Sequence, residues 1–72
     1  MIFTFVPMRG SCFNINVSRK QRVSELKRRV ADVIKIPREK IRLRYNGVNF
    51  EDGRKVGDYL QEEYSVVTVI IR

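Results

Sequence analysis

Two dipeptides that tolerate left-handed backbone, Asn46-Gly47 and Asp52-Gly53, stand close together in the stretch Tyr45 to Tyr59, YNGVNFEDGRKVGDY. Asn-Gly and Asp-Gly are the dipeptides that two-residue hairpin turns select, because both can take positive φ at little cost. Phe50 is the only large apolar side chain between them, and a helix-like tail follows over Val56 to Tyr59. A chain that reverses twice around one aromatic anchor forms a tightly turned segment at the edge of a sheet. It is not a loop built to carry catalytic groups.

The rest of the chain has to supply what such an edge segment packs on. With 72 residues and 43% apolar content, it is a single domain, residues 1–72, with one compact core. A domain of this size buries only about 60% of the surface its unfolded chain exposes. No apolar run approaches the roughly 20 residues that a membrane helix needs, so no membrane association is expected. The apolar opening, MIFTFVPMRG, has no basic flank and no cleavage pattern of a signal peptide. Cys12 is the sole cysteine, which excludes an internal disulfide and fits a cytoplasmic or nuclear location. There is no histidine, so Cys/His metal sites and histidine-based catalysis are excluded within this chain. Cys12 has no neighbour placed to activate it. The expectation is a protein that is not an enzyme and needs no cofactor or metal.

The apolar periodicities place the elements. Ile2 to Val6 reads as a strand that buries Phe3 and Phe5, and Pro7-Met8-Arg9-Gly10 reads as a turn. Cys12 to Val17 alternates with period two. Phe13, Ile15 and Val17 share one face, with Cys12, Asn14 and Asn16 on the other. Val23, Leu26, Val30, Val33 and Ile34 form the apolar stripe of an amphipathic helix whose outer face carries Lys27, Arg28 and Arg29. Arg22 is a poor N-cap, and Pro37 is expected to end the helix by restricting Ile36. Ile41 to Tyr45 alternates, with Ile41, Leu43 and Tyr45 inward and Arg42 and Arg44 outward. The last strand, Val66 to Arg72, turns Val67, Val69 and Ile71 inward, and Val66, Thr68, Ile70 and Arg72 outward. The fold class is therefore α+β, ordered β-β-α-β-β-β, with one helix across the apolar face of a sheet whose other face is wet.

The net charge of +7 is unevenly placed. Arg19 to Arg44 is strongly basic and Glu51 to Glu63 is acidic, so the molecule has a preferred electrostatic orientation.

Over its whole length the chain resembles ubiquitin and ubiquitin-like domains. The resemblance rests on Glu51-Asp52-Gly53-Arg54 and Asp58-Tyr59. It is supported by Asn46-Gly47 where ubiquitin has Ala-Gly, and by Ile36-Pro37, Arg42-Leu43, Lys27, Asp32 and Gly10. It implies a β-grasp fold, a mixed sheet with one amphipathic helix packed across it. One position departs from the family pattern. Gln61 falls where the family buries an isoleucine, and Leu60 is expected to fill that space, since an unpaired buried amide costs about 1–3 kcal/mol.

The departures shape the functional expectation. Conjugated relatives end in Gly-Gly, whereas this sequence closes on Arg72, so a non-conjugated domain is expected, the N-terminal module of a larger protein. Of the positions that match ubiquitin's acceptor lysines, only Lys27 is lysine. Val6, Ser11, Arg29, Val33, Val48 and Glu63 hold the others. In the family the lysine matching Lys27 is largely buried and ion-paired, so its retention reads as structural. The family's partners dock on an apolar patch of the outer sheet face, which here matches Met8, Arg44, Thr68 and Ile70. Arg44 replaces the central isoleucine. A partner that buried this guanidinium unpaired would lose several kcal/mol. With Arg42 and Arg72 on the same face, the candidate surface is basic and amphipathic. It suits a protein partner that offers acidic and apolar groups, such as a ubiquitin-pathway or proteasomal receptor, bound by a monomer.

Two alternatives stay open. The basic block could contact RNA, as in some ubiquitin-like domains of splicing factors, although aromatic stacking platforms are lacking near it. The segments Ser24-Glu25-Leu26-Lys27-Arg28 and Arg54-Lys55-Val56-Gly57 also resemble elongin B, a ubiquitin-fold scaffold subunit of ligase complexes.

Overall fold

The computed structural model describes residues 1–72. Strand β1, Ile2–Pro7, pairs antiparallel with β2, Phe13–Asn16, and the helix α1, Val23–Ile34, follows. A 3-10 turn over Arg38–Lys40 leads into β3, Ile41–Tyr45, which turns at Asn46-Gly47 into the short β4, Val48–Asn49. A second 3-10 turn, Val56–Asp58, precedes β5, Val66–Ile71. The sheet order is β2-β1-β5-β3-β4, with β1 and β5 parallel and every other pair antiparallel. This is the β-grasp arrangement, with α1 lying across one face.

The core is wholly apolar. Phe3, Phe5, Ile15 and Val17 from the first hairpin meet Val23, Leu26 and Val30 of α1. Ile41, Leu43, Val67 and Val69 supply the middle of the sheet, and Phe50, Val56 and Leu60 close it at the side. Leu60 is fully buried and Gln61 exposed, so the space that the family gives to isoleucine is taken by the preceding residue, and no amide is buried.

The helix differs from its sequence pattern in two respects. Val33 belongs to the apolar stripe on paper, yet it is 50% exposed. It lies seven residues after Leu26, already at the margin of the stripe, and an α-helix drifts by about 20° over such a step. The drift carries Val33 off the sheet. The helix also stops before the proline acts. Its C-cap, Lys35, takes a left-handed conformation with φ 61°, and its N–H donates to the Ala31 carbonyl at 2.8 Å. Ile36 is thus already outside α1. At the other end Arg22 caps without a side-chain hydrogen bond, as its chemistry requires.

The two turns of the Tyr45–Tyr59 segment are unlike one another. Asn46 and Gly47 both take positive φ, 51° and 78°, as a two-residue hairpin demands. Asp52-Gly53 turns without positive φ, so the glycine there is not a conformational necessity. The segment is held instead by Phe50 stacked on Tyr59, with ring centroids 4.3 Å apart, and by the Glu51 N–H donating to the Tyr59 hydroxyl at 3.1 Å. Lys27, on α1, ties it down further. Its side chain is only 12% exposed, and its ammonium pairs with Asp52 Oδ1 at 2.7 Å.

Candidate docking face on the open side of the sheet

The outer face is assembled by register. Arg42 sits beside Ile70 and Arg44 beside Thr68 across the β3–β5 pair, and Thr68 sits beside Val6 across the β5–β1 pair. Met8 follows directly on β1 and is 65% exposed. Arg42, Arg44, Thr68 and Arg72 are exposed, and Ile70 is half-buried. Arg72 lies just past β5, where its N–H donates to the Lys40 carbonyl at 2.8 Å, and it shares with Met8 a cleft also lined by Ile36 and Ile71. All six residues expected at the site therefore lie on one surface or at its rim. Two arginines line β3, with apolar and small residues along β5 and the end of β1.

Arg44 does not wave free. Its Nε donates to Asn49 Oδ1 at 3.1 Å, and Asn49 is its directly opposed residue on β4. With Nε engaged, the two Nη groups are left to receive a ligand. An end-on fork is one of the geometries in which guanidinium and carboxylate pair well. No carboxylate of the chain pairs with Arg42, Arg44 or Arg72, since the ion pairs present are Lys27–Asp52 and Arg54–Glu51. The Arg54 guanidinium is held further above its usual range by the hydrogen bond to Glu51 and then by that carboxylate's charge. The basic face has no such internal neutralisation.

Asn49 and Val66 were not marked as site residues by the sequence pattern. The position of Asn49 follows from the two-residue turn at Asn46-Gly47, which forces Tyr45 opposite Val48 and Arg44 opposite Asn49. Val66 lies on the outer face two residues before Thr68 and is 55% exposed, which extends the apolar strip along β5. Cys12 is exposed.

The comparisons with known proteins agree with this architecture. The family model described as "Ubiquitin family" matches residues 3–72, and the chain belongs to that family. It is similar to ubiquitin-like protein 4A of Danio rerio, 29% identical over all 72 residues of this chain and 46% of the relative. The same identity holds for ubiquitin-like protein 4A-B of Salmo salar and ubiquitin-like protein 4A of Esox lucius, covering 48% and 47% of those relatives. The chain thus spans about half the length of the curated relatives it matches. Ubiquitin-like domains mediate protein–protein interactions. No helix is long and apolar enough to cross a membrane.

Proposed function

We propose that this chain is a protein-interaction domain that docks ubiquitin-pathway or proteasomal partners through the outer sheet face around Arg44. The observation that carries the reading is the side-by-side placement of unpaired arginines and exposed apolar side chains. Arg42 lies beside Ile70 and Arg44 beside Thr68, with Met8 open to solvent. An apolar strip flanked on one side by guanidinium groups fits a partner element that is apolar along its centre and acidic along one edge. The apolar contact supplies affinity, while the charges supply register and association rate. The matched relatives extend well beyond the aligned region, which supports a role as one module of a longer chain.

RNA binding has less support. Tyr45, the aromatic nearest the basic block, packs against the core. Tyr64 is exposed but follows Glu62 and Glu63 in the acidic segment. The discriminating experiment is titration of the labelled domain with a proteasomal ubiquitin receptor and, separately, with single-stranded RNA at two salt concentrations. The docking reading expects backbone shifts centred on Met8, Arg44, Thr68 and Ile70 with the receptor. An RNA response that falls steeply with salt, without a receptor response, would replace it.

A further inference from the structure

A second cationic feature lies away from the outer sheet face. A cleft is lined by Met1, Asn16, Ser18, Arg19, Lys20, Lys55, Gly57 and Asp58. Its walls are two turns, the one that leads into α1 and the 3-10 turn over Val56–Asp58. We propose that this cleft is a binding site for a multiply charged phosphate group.

Three observations support the assignment. The first is charge. Arg19, Lys20 and Lys55 line the cleft, and none of them takes part in an ion pair. Asp58 is the sole acid in the lining, and one of its carboxylate oxygens already accepts the Lys55 backbone N–H at 3.2 Å. The Met1 amino group is also committed, to Asn16 Oδ1 and the Val17 carbonyl, each at 3.1 Å, and nothing rests on it.

The second is rigidity. Gly57 N–H donates to the Arg19 carbonyl at 2.9 Å, and Val56 N–H to the Gln21 carbonyl at 2.8 Å. The two walls touch so closely that a Cβ on Gly57 would stand 2.9 Å from the Arg19 Cβ. Arg19 and Lys55 are therefore mounted on backbone that is already clamped in place. A ligand that uses them need not order the loops, which lowers the entropy cost of binding.

The third is donor supply. The Arg19 N–H has no partner within the protein. A comparable cleft lined by Arg28, Asp32, Lys35 and Arg38 lies at the opposite end of α1, where the carbonyl ends of the helix disfavour an anion. That cleft serves as an internal control. Its side chains supply three cations and one acid, as those of the proposed site do, but it has the carbonyl end of a helix beside it and no clamp of this kind.

The test is a backbone-amide NMR titration of the labelled chain with sodium pyrophosphate in one arm and a phosphoserine peptide in the other. The proposal expects saturable shifts centred on Arg19, Lys20 and Gly57 in at least one arm. A response to the peptide alone assigns the phosphate to a protein partner, and a response to pyrophosphate assigns it to a free ligand. Arg19→Glu and Lys55→Glu should each weaken binding about tenfold or more, as loss of charge-assisted contacts requires. Arg28→Glu and Arg38→Glu remove the same net charge and should change it by no more than about twofold, the range of screened long-range effects. Shifts spread evenly over both clefts, equal losses in all four variants, or no saturable shift in either arm would overturn the assignment.

Discussion

Arg44 and Asn49 face each other across the β3–β4 pair, and the arginine Nε donates to the asparagine Oδ1 at 3.1 Å. The centre of the proposed docking face is thereby held by a guanidinium that is steadied from one side and open on the other. Asn49→Ala should leave the fold intact, since Asn49 is exposed, but free the arginine to roam. Affinity for an acidic partner should fall by about twofold to tenfold, the worth of one hydrogen bond of about 0.5–1.5 kcal/mol that holds a side chain in place. Isothermal titration of the two proteins against the same receptor checks this.

Lys27 and Asp52 make the one ion pair that has a largely buried member. Asp52→Asn keeps the shape and leaves the Lys27 ammonium without its counter-charge. Because Asp52 is 59% exposed, water replaces part of what is lost. The expected destabilisation is about 1–2 kcal/mol, between the values for exposed and buried pairs. Lys27→Met removes the charge but keeps the buried stem and should cost less, about 1 kcal/mol or under. Urea unfolding of both variants reads the asymmetry.

Gly57 and Gly53 should respond in opposite directions to alanine. A methyl at Gly57 meets the Arg19 Cβ at 2.9 Å and the Arg19 carbonyl oxygen at 3.1 Å, so backbone must move. Gly57→Ala should cost about 1–3 kcal/mol, the range for overpacking. Gly53 has open space and no positive φ. Gly53→Ala should be neutral or stabilise by up to about 1 kcal/mol through the unfolded chain. Thermal unfolding of the two variants, side by side, is sufficient.

Leu60 and Gln61 divide what is one position's work in the family pattern. Leu60→Ala opens a cavity in a fully buried site and should cost about 2–5 kcal/mol. Gln61→Ile, which restores the family residue, should change stability by no more than about 0.5 kcal/mol, because position 61 is exposed. Denaturant midpoints for both variants check whether the chain can revert to the family's packing.

Much of this architecture is readable in the sequence because its periodicities are short and local. Phe3, Phe5, Ile15, Leu43, Val67 and Val69 alternate within single strands, and all are buried. The helix end was harder to read. Lys35 adopts left-handed backbone ahead of Pro37, and lysine gives no warning of it in composition. Val33 shows the limit of a stripe drawn on an ideal wheel, since its exposure depends on where the helix leaves the sheet. The candidate surface was legible as a set of outward positions on two strands. The hold of Asn49 on Arg44 depends on register across a turn, so it emerges only once Arg44 and Asn49 are paired. The clamp between Gly57 and Arg19 joins turns that are remote in sequence, and no local pattern encodes it.

On the proposed reading a partner docks on the outer sheet face and Arg44 is used rather than merely tolerated there. The direct test is a backbone-amide titration of the labelled domain with a proteasomal ubiquitin receptor, repeated with Arg44→Glu. The wild-type chain should shift at Met8, Arg44, Thr68 and Ile70. The variant should bind at least about tenfold more weakly, as reversal of a contacting charge predicts, while its unfolding midpoint stays close to that of the parent. Shifts confined to α1, or an Arg44→Glu variant that binds as well as the parent, would contradict it.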